Sequence, residues 1–175
     1  MSIRFCDDAV VFNQFKKQYS IHKRGFFIVA PSGAGKTYFV KNQKDPDWID
    51  GDDLWMATGA QPNRAWWTEG IDVINEVDKR CDVVTEEYRK NGFWIIGASN
   101  FWAIPDAVVI PDFRLQKKYI ICREQTNYDG GATSKDFKQV IKHRKTLTKH
   151  ARQNKVPIFK TIEDAVNFLR KKYKM

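Results

Sequence analysis

The 175-residue chain is poor in cysteine, with only Cys6, Cys81 and Cys122. They are scattered, with neither metal-ligand spacing nor the even number a disulfide framework needs. Each reads as a reduced thiol, which points to an intracellular, cytoplasmic protein, a viral origin being one alternative. Long hydrophobic runs are missing too: none approaches the ~20 residues of a membrane span, so no membrane partner is expected. The opening Met1-Ser2-Ile3-Arg4-Phe5-Cys6-Asp7-Asp8 is too acidic and too broken for a signal peptide. No repeat, linker or low-complexity tract divides the chain, and its length suits one domain, 1–175, with a real core.

Acid is scarce in one half only. Residues 1–112 carry 13 Lys/Arg against 16 Asp/Glu, net −3, whereas 113–175 carry 17 against 5, net +12. Such asymmetry suggests a polyanionic partner on one side of the molecule; the alternative is a basic, soluble surface.

Against these absences stands one organising stretch, Phe26-Phe27-Ile28-Val29-Ala30-Pro31-Ser32-Gly33-Ala34-Gly35-Lys36-Thr37. Phe26 to Val29 reads as a buried strand, Gly33 to Gly35 as a tight turn, and Tyr38-Phe39-Val40 as the start of a helix. Strand, glycine turn and Gly-Lys-Thr are the context of a P-loop. There, backbone N–H groups cradle phosphates, the lysine reaches the β/γ oxygens and the threonine hydroxyl ligates Mg²⁺. Ser32, Gly33, Ala34, Gly35, Lys36, Thr37 and Tyr38 are thus expected to hold ATP, with Thr37 on the metal. Ala30 stands where the strict pattern has its first glycine, and the loop closes only if Ala30 takes a β-type backbone.

The remaining chain alternates strands and helices. An amphipathic helix is expected over 7–19, with Val11, Phe12, Phe15 and Tyr19 at helical spacing. Trp48-Ile49 makes a short strand ending in Asp50-Gly51-Asp52-Asp53, and 57–63 a loop. Helical periodicity runs from about Ala65 to Lys90, stopped by Asn91-Gly92. Phe93–Ile96 is a third strand. The stretch 101–115, with Pro105 and Pro111 around apolar Ala107 to Ile110, resists assignment. Tyr119-Ile120-Ile121-Cys122 reads as a fourth strand, followed by a loop from Arg123 to Ser134 centred on Gly130-Gly131. A basic helix over 135–154, a strand at Pro157-Ile158-Phe159 and a helix from Ile162 to Lys172 capped by Thr161 complete the chain. This alternation means an α/β domain with a parallel sheet of about five strands. Ligands of such sheets bind at the strands' carboxyl ends, which would gather Gly33–Thr37, Asp50–Asp53, Gly97–Asn100 and Arg123 around one crevice.

The acidic stretch narrows the chemistry. A carboxylate after the second strand can accept the proton of an attacking hydroxyl or hold Mg²⁺ through water; alternatively Asp52 or Asp53 caps a helix starting near Leu54. The glycine loop, Asp50-Gly51-Asp52-Asp53-Leu54, the helix before the third strand and a basic lid resemble the small P-loop kinases. That superfamily holds adenylate, gluconate and shikimate kinases and the kinase domain of bacteriophage polynucleotide kinase. The resemblance implies a three-layer α/β/α sandwich with a basic lid, at about 123–145. It covers most of the chain in order of elements, though its residue motifs occupy only a small part.

Adenylate-kinase-like enzymes read Gly-Asp-x-Leu-Arg here, the Arg gripping the acceptor's phosphate. Trp55 replaces it, leaving Arg64 as a substitute. Polynucleotide kinase has an Asp-Asp pair resembling Asp52-Asp53, the first acting as base, and Ile95-Ile96-Gly97-Ala98-Ser99-Asn100 resembles its third strand and following turn. It carries an Arg three residues beyond the base, and Trp55 stands there as well. Gluconate kinase also has Asp-Gly-Asp. The resemblance thus implies Lys36, Asp52 (base and metal), Arg123 and Arg144 (lid arginines) as catalytic residues. Asp50, Asp53, Trp55, Arg64, Asn100, Lys138 and Lys142 would face the acceptor.

Eight Lys/Arg lie between Lys135 and Lys155 against the single acid Asp136. Lys138, Lys142, Lys145, Lys149 and Arg152 share one helix face, a one-sign stripe suited to a phosphate backbone. Tyr128 and Trp66-Trp67 could stack bases, or the tryptophans could fill the core. The expected function is ATP-dependent transfer of the γ-phosphate to a hydroxyl of a nucleotide or nucleic acid, such as a 5′ end or a hydroxymethylated base in phage DNA. A nucleoside monophosphate or small-metabolite kinase is the alternative. A P-loop ATPase without an acceptor is disfavoured, because Gly97 or Ala98 occupies the place of the Walker-B aspartate.

Overall fold

The computed structural model describes residues 20–45, 47–58, 70–98, 103–126 and 131–174. The helix expected over 7–19, and Arg64, Trp66, Trp67, Asn100, Tyr128 and Gly130, lie outside these residues. The elements are β1 (Phe26–Val29), α1 (Lys36–Lys41), β2 (Trp48–Asp50), α2 (Gly51–Ala57), α3 (Ile71–Lys90), β3 (Trp94–Gly97) and β4 (Ala107–Val109). They continue with α4 (Phe113–Gln125), a 3₁₀ turn at Ser134–Asp136, α5 (Phe137–Gln153), β5 (Ile158–Phe159) and α6 (Ile162–Tyr173). The strands form one five-stranded sheet in the order β2-β3-β1-β4-β5. Parallel registers pair Trp48 with Trp94, Ile28 with Ala107 and Val109 with Phe159. The alternating α/β reading with about five strands therefore holds.

One strand and one helix depart from expectation. The fourth strand is Ala107–Val109, inside the stretch that resisted assignment. It has neighbours on both sides, β1 and β5, so all three residues are fully buried and show no polar alternation. Tyr119-Ile120-Ile121-Cys122 is not a strand but the middle of α4. The Asp112 side chain starts that helix by accepting from the Arg114 and Leu115 N–H groups at 2.8 and 3.4 Å. Only one face of α4 is buried, through Gln116 and Ile120 four residues apart, while Tyr119, Ile121 and Cys122 stay exposed. That is helical, not strand, periodicity. Arg123 accordingly belongs to the last turn of α4 rather than to a loop after a strand.

Contacts divide the chain into two compact units: Met1–Phe27 with Asp45–Ala103, and Ile28–Lys44 with Ile104–Met175. The first is built on aromatic packing. Trp94 stacks on His22 (ring centroids 3.7 Å apart) and on Phe26 (5.1 Å), while Trp48 meets both Phe26 and Trp94 edge-on. Trp94 Nε1–H donates to the Arg24 carbonyl at 3.1 Å, so the indole is buried without an unpaired donor. Helix α3 packs Val77, Cys81, Val84 and Tyr88 inward, as its spacing predicts, although Ile71 at its start is exposed. Asn91-Gly92 ends it. Gly92 takes φ 91°, and the Gly92 and Phe93 N–H groups return to the Arg89 and Tyr88 carbonyls at 3.1 and 3.0 Å.

In the second unit, β4 is covered by α5, which buries Val140, Leu147 and Ala151, and by α6, which buries Ile162, Ala165, Val166 and Leu169. A fully buried Ile or Leu contributes about 1.5–3 kcal/mol relative to exposure, so this apolar set holds both helices down. The Thr161 hydroxyl caps α6 by accepting from the Asp164 N–H at 3.1 Å, as its position predicts. No helix of the described residues is long and apolar enough to cross a membrane.

Candidate functional site

The glycine loop lies in the second unit and follows the carboxyl end of β1. Ala30 is fully buried and has no positive φ, so backbone handedness does not require a glycine at that position. Gly33 and Gly35 do need to be glycine, with φ of 76° and 88°. A Cβ on Gly33 would also come within 2.6 Å of Ile120, whereas the space beside Gly35 is open. The turn closes through the Ala34 N–H to the Pro31 carbonyl at 3.2 Å, and the Lys36 ammonium donates to that same carbonyl at 3.2 Å. Lys36 and Thr37 form the first turn of α1; Tyr38 points outward and is 76% exposed.

Helix α4 and the segment that follows it meet at Ser32. Arg123, from the end of α4, donates to the Ser32 hydroxyl at 3.4 Å and to the Ala132 carbonyl. The Ala132 N–H reaches the same hydroxyl at 3.1 Å. Gly131 adopts φ 78°, and a Cβ there would lie 2.9 Å from the Ser32 hydroxyl and 3.1 Å from the Arg123 guanidinium. The following turn is pinned by Asp136, whose carboxylate accepts from the Thr133 N–H and hydroxyl at 2.8 and 2.7 Å and is lowered below its ordinary pKa by those bonds. The Ser134 N–H donates to Glu124 at 2.9 Å, tying the turn to α4 as well. The expected loop from Arg123 to Ser134 is therefore shorter: α4 runs to Gln125, and Thr133 already caps a helical turn.

Gln116 was not anticipated from the sequence, because it falls in a helix whose middle reads as a strand. It is fully buried. Its amide donates to the Ser32 carbonyl at 2.7 Å, and its carbonyl oxygen accepts from Arg144 of α5. The Arg144 guanidinium also lies over the Phe113 ring, 5.3 Å from its centre. Burial lowers the Arg144 pKa, against the pull of Asp112, but an arginine stays charged. Arg144 thus meets the loop through Gln116, one residue removed from the direct contact that Arg123 makes.

One turn of α5 also brings His143 near the loop. Its Nε2 is buried without a hydrogen-bond partner among the described residues. Burial, reinforced by the Lys36 ammonium, pulls this imidazole down to about 4, so it is neutral at physiological pH. The cations Lys138, Lys142, Lys145, Lys149 and Arg152 are all exposed along α5, as the stripe predicts.

The acidic turn belongs to the first unit and follows β2. Here the helix cap is Asp50 rather than Asp52 or Asp53. Helix α2 begins at Gly51, and the buried Asp50 carboxylate accepts from the Asp52 N–H at 3.2 Å. A Cβ on Gly51 would lie 2.8 Å from the Gly97 Cα, so the Asp-Gly-Asp spacing is also a packing requirement. Capping turns Asp52 and Asp53 outward, and both are exposed. The Asp53 carboxyl is raised above its ordinary pKa by desolvation and then by the Asp50 and Asp52 charges. Trp55 is half-buried on the same helix.

No protein-family model and no curated protein matches this chain. Fold and local geometry together define an α/β protein in which a glycine loop is braced by arginines from two helices of its own unit.

Proposed function

We propose that the protein is a P-loop kinase of three-layer α/β/α architecture, transferring the γ-phosphate of ATP to a hydroxyl of a nucleotide or nucleic acid. The observation that carries this reading is the convergence of cations on the glycine loop. Lys36 lies within it, Arg123 bonds Ser32 directly, and Arg144 is linked to Ser32 through Gln116. Phosphoryl transfer needs little covalent help and much charge stabilisation, which a loop of N–H groups and positioned cations supplies.

In this mechanism Lys36 leaves the Pro31 carbonyl for the β/γ-phosphate oxygens. The loop N–H groups from Ser32 to Thr37 take the remaining oxygens, and Arg123 offsets charge on the bridging oxygen as the bond to ADP breaks. The Thr37 hydroxyl would hold Mg²⁺, which when bound offsets phosphate charge. The acceptor O–H loses its proton to Asp52 as its oxygen bonds to phosphorus. Asp50 is engaged in its capping bond, and Asp53, with its raised carboxyl, is the internal comparison.

Transfer from γ-labelled ATP to oligonucleotides, hydroxymethylated DNA, nucleoside monophosphates and sugar acids tests the reading. Label on an oligonucleotide or its bases supports it, and label on a small acceptor moves the protein to a metabolite kinase. ATP hydrolysis with no labelled acceptor overturns transfer altogether.

A further inference from the structure

The second unit carries a groove beyond the glycine loop that shares Arg144 with the loop's brace. This open groove of about 730 Å³ runs along α5. Its floor is apolar, from Ile110, Phe113 and Ile141, and its rim is cationic, from Lys145, Lys149 and Arg152. No carboxylate lines it among the described residues. Asp112, next in the chain to Phe113, is occupied in capping α4. With 1.5 Å rise per residue, the α5 cations follow one another at steps of about 4.5–6 Å. Lys138 and Lys142 extend the same face beyond the groove.

We propose that this groove binds single-stranded nucleic acid, with phosphates on the Lys145–Lys149–Arg152 rim and unpaired bases against the apolar floor. Charge complementarity requires a polyanion, because an uncompensated row of like charges beside apolar surface favours an anionic partner. The floor decides which one. A duplex presents phosphates and sugars outward and keeps its base faces stacked, leaving the apolar surface unused. An acidic peptide offers carboxylates but no flat apolar rings. A single strand brings a regular row of charge together with exposed base faces. The inference rests on nucleic acid being the acceptor class, but its test reads binding alone.

The measurement is fluorescence anisotropy of a labelled deoxythymidine 15-mer with the full chain, in the absence of ATP, across a salt series. The same-length duplex and polyglutamate serve as competitors. Affinity should fall with salt, and the triple variant Lys145→Ala/Lys149→Ala/Arg152→Ala should weaken binding at least tenfold. Its log–log salt slope should shrink by about 2, as expected for three lost phosphate contacts on a single strand. The conservative Lys149→Gln, at an exposed site, should shrink the slope by about 0.7. A control variant losing three exposed lysines elsewhere, Lys79→Ala/Lys171→Ala/Lys174→Ala, should keep most of the affinity. Equal loss in both triple variants would overturn the groove. Competition by duplex or polyglutamate as strong as that by the single strand would overturn the choice of ligand. Failure of phosphoryl transfer with intact groove binding would count against the kinase reading only.

Discussion

The two units keep a buried titratable group neutral in opposite senses. In the first, Asp78 is buried on α3, and desolvation, then the charge of Asp82 one turn on, raises its carboxyl to about 7. In the second, burial and Lys36 lower the His143 imidazole to about 4. The acid-rich unit thus favours the protonated form of an acid, and the cation-rich unit the unprotonated form of a base. Like charges gathered around a partly dry site penalise one more charge of the same sign, whichever sign that is. The comparison also separates roles. The glycine loop and its cations lie in the second unit, and the carboxylates proposed for the acceptor in the first.

The sharpest way to break this division is activity. Lys36→Ala should reduce kcat/KM by about 10³-fold and weaken ATP binding, measured by steady-state kinetics and calorimetry. Asp52→Asn should reduce kcat by about 10²–10⁴-fold with ATP affinity nearly unchanged. Asp53→Asn should do much less. Equal losses from Asp52 and Asp53, or wild-type turnover in Asp52→Asn, would remove the base assignment.

Stability against pH sharpens the contrast. The folded His143 pKa is depressed, so its contribution is fully present above 6.5 and is lost as pH falls toward 4. The folded Asp78 pKa is raised, so stability is lost instead as pH rises from 3.8 toward 7. Between pH 4 and 6.5 the two trends offset each other. Asp78→Asn should leave the His143 trend alone and steepen acid destabilisation, by on the order of 2–3 kcal/mol across that window in urea titrations. At pH 7, where the wild type has lost that contribution, the same variant should be more stable, by on the order of 1 kcal/mol. A wild-type pH profile in Asp78→Asn would show that the carboxyl is not held neutral.

Gln116→Leu tests the brace in the second unit. It leaves the Ser32 carbonyl and Arg144 without the partner each now has, which should cost about 2 kcal/mol in urea denaturation. It should also lower ATP affinity, an effect that a purely structural core glutamine would not have. The smallest effect is expected from Gly131→Ala, about 1 kcal/mol from the left-handed backbone and the crowding against Ser32 and Arg123. If Gly131→Ala is neutral, segment 131–136 does not depend on its contact with Ser32.

Most elements were legible because their signals are local. The buried quartet Phe26–Val29, the three-and-four spacing from Val77 to Tyr88, the Asn91-Gly92 stop and the Thr161 cap each depend on a few adjacent residues. β4 was illegible because three apolar residues between two prolines carry no periodicity, and only pairing with β1 and β5 makes them a strand. Helix α4 is the converse case. Tyr119 to Cys122 have strand-forming side chains, but Asp112 had already committed the backbone to a helix.

The candidate site divides in the same way. The glycine loop, the acidic turn and the cation stripe are set by short-range spacing, so chain chemistry alone specifies them. Which aspartate is spent on capping, why Gly51 must be small, and how Gln116 joins Arg144 to Ser32 were decided by the tertiary structure. Those facts depend on residues far apart in the chain, 84 positions between Ser32 and Gln116, meeting in a dry interior where each polar group must find a partner.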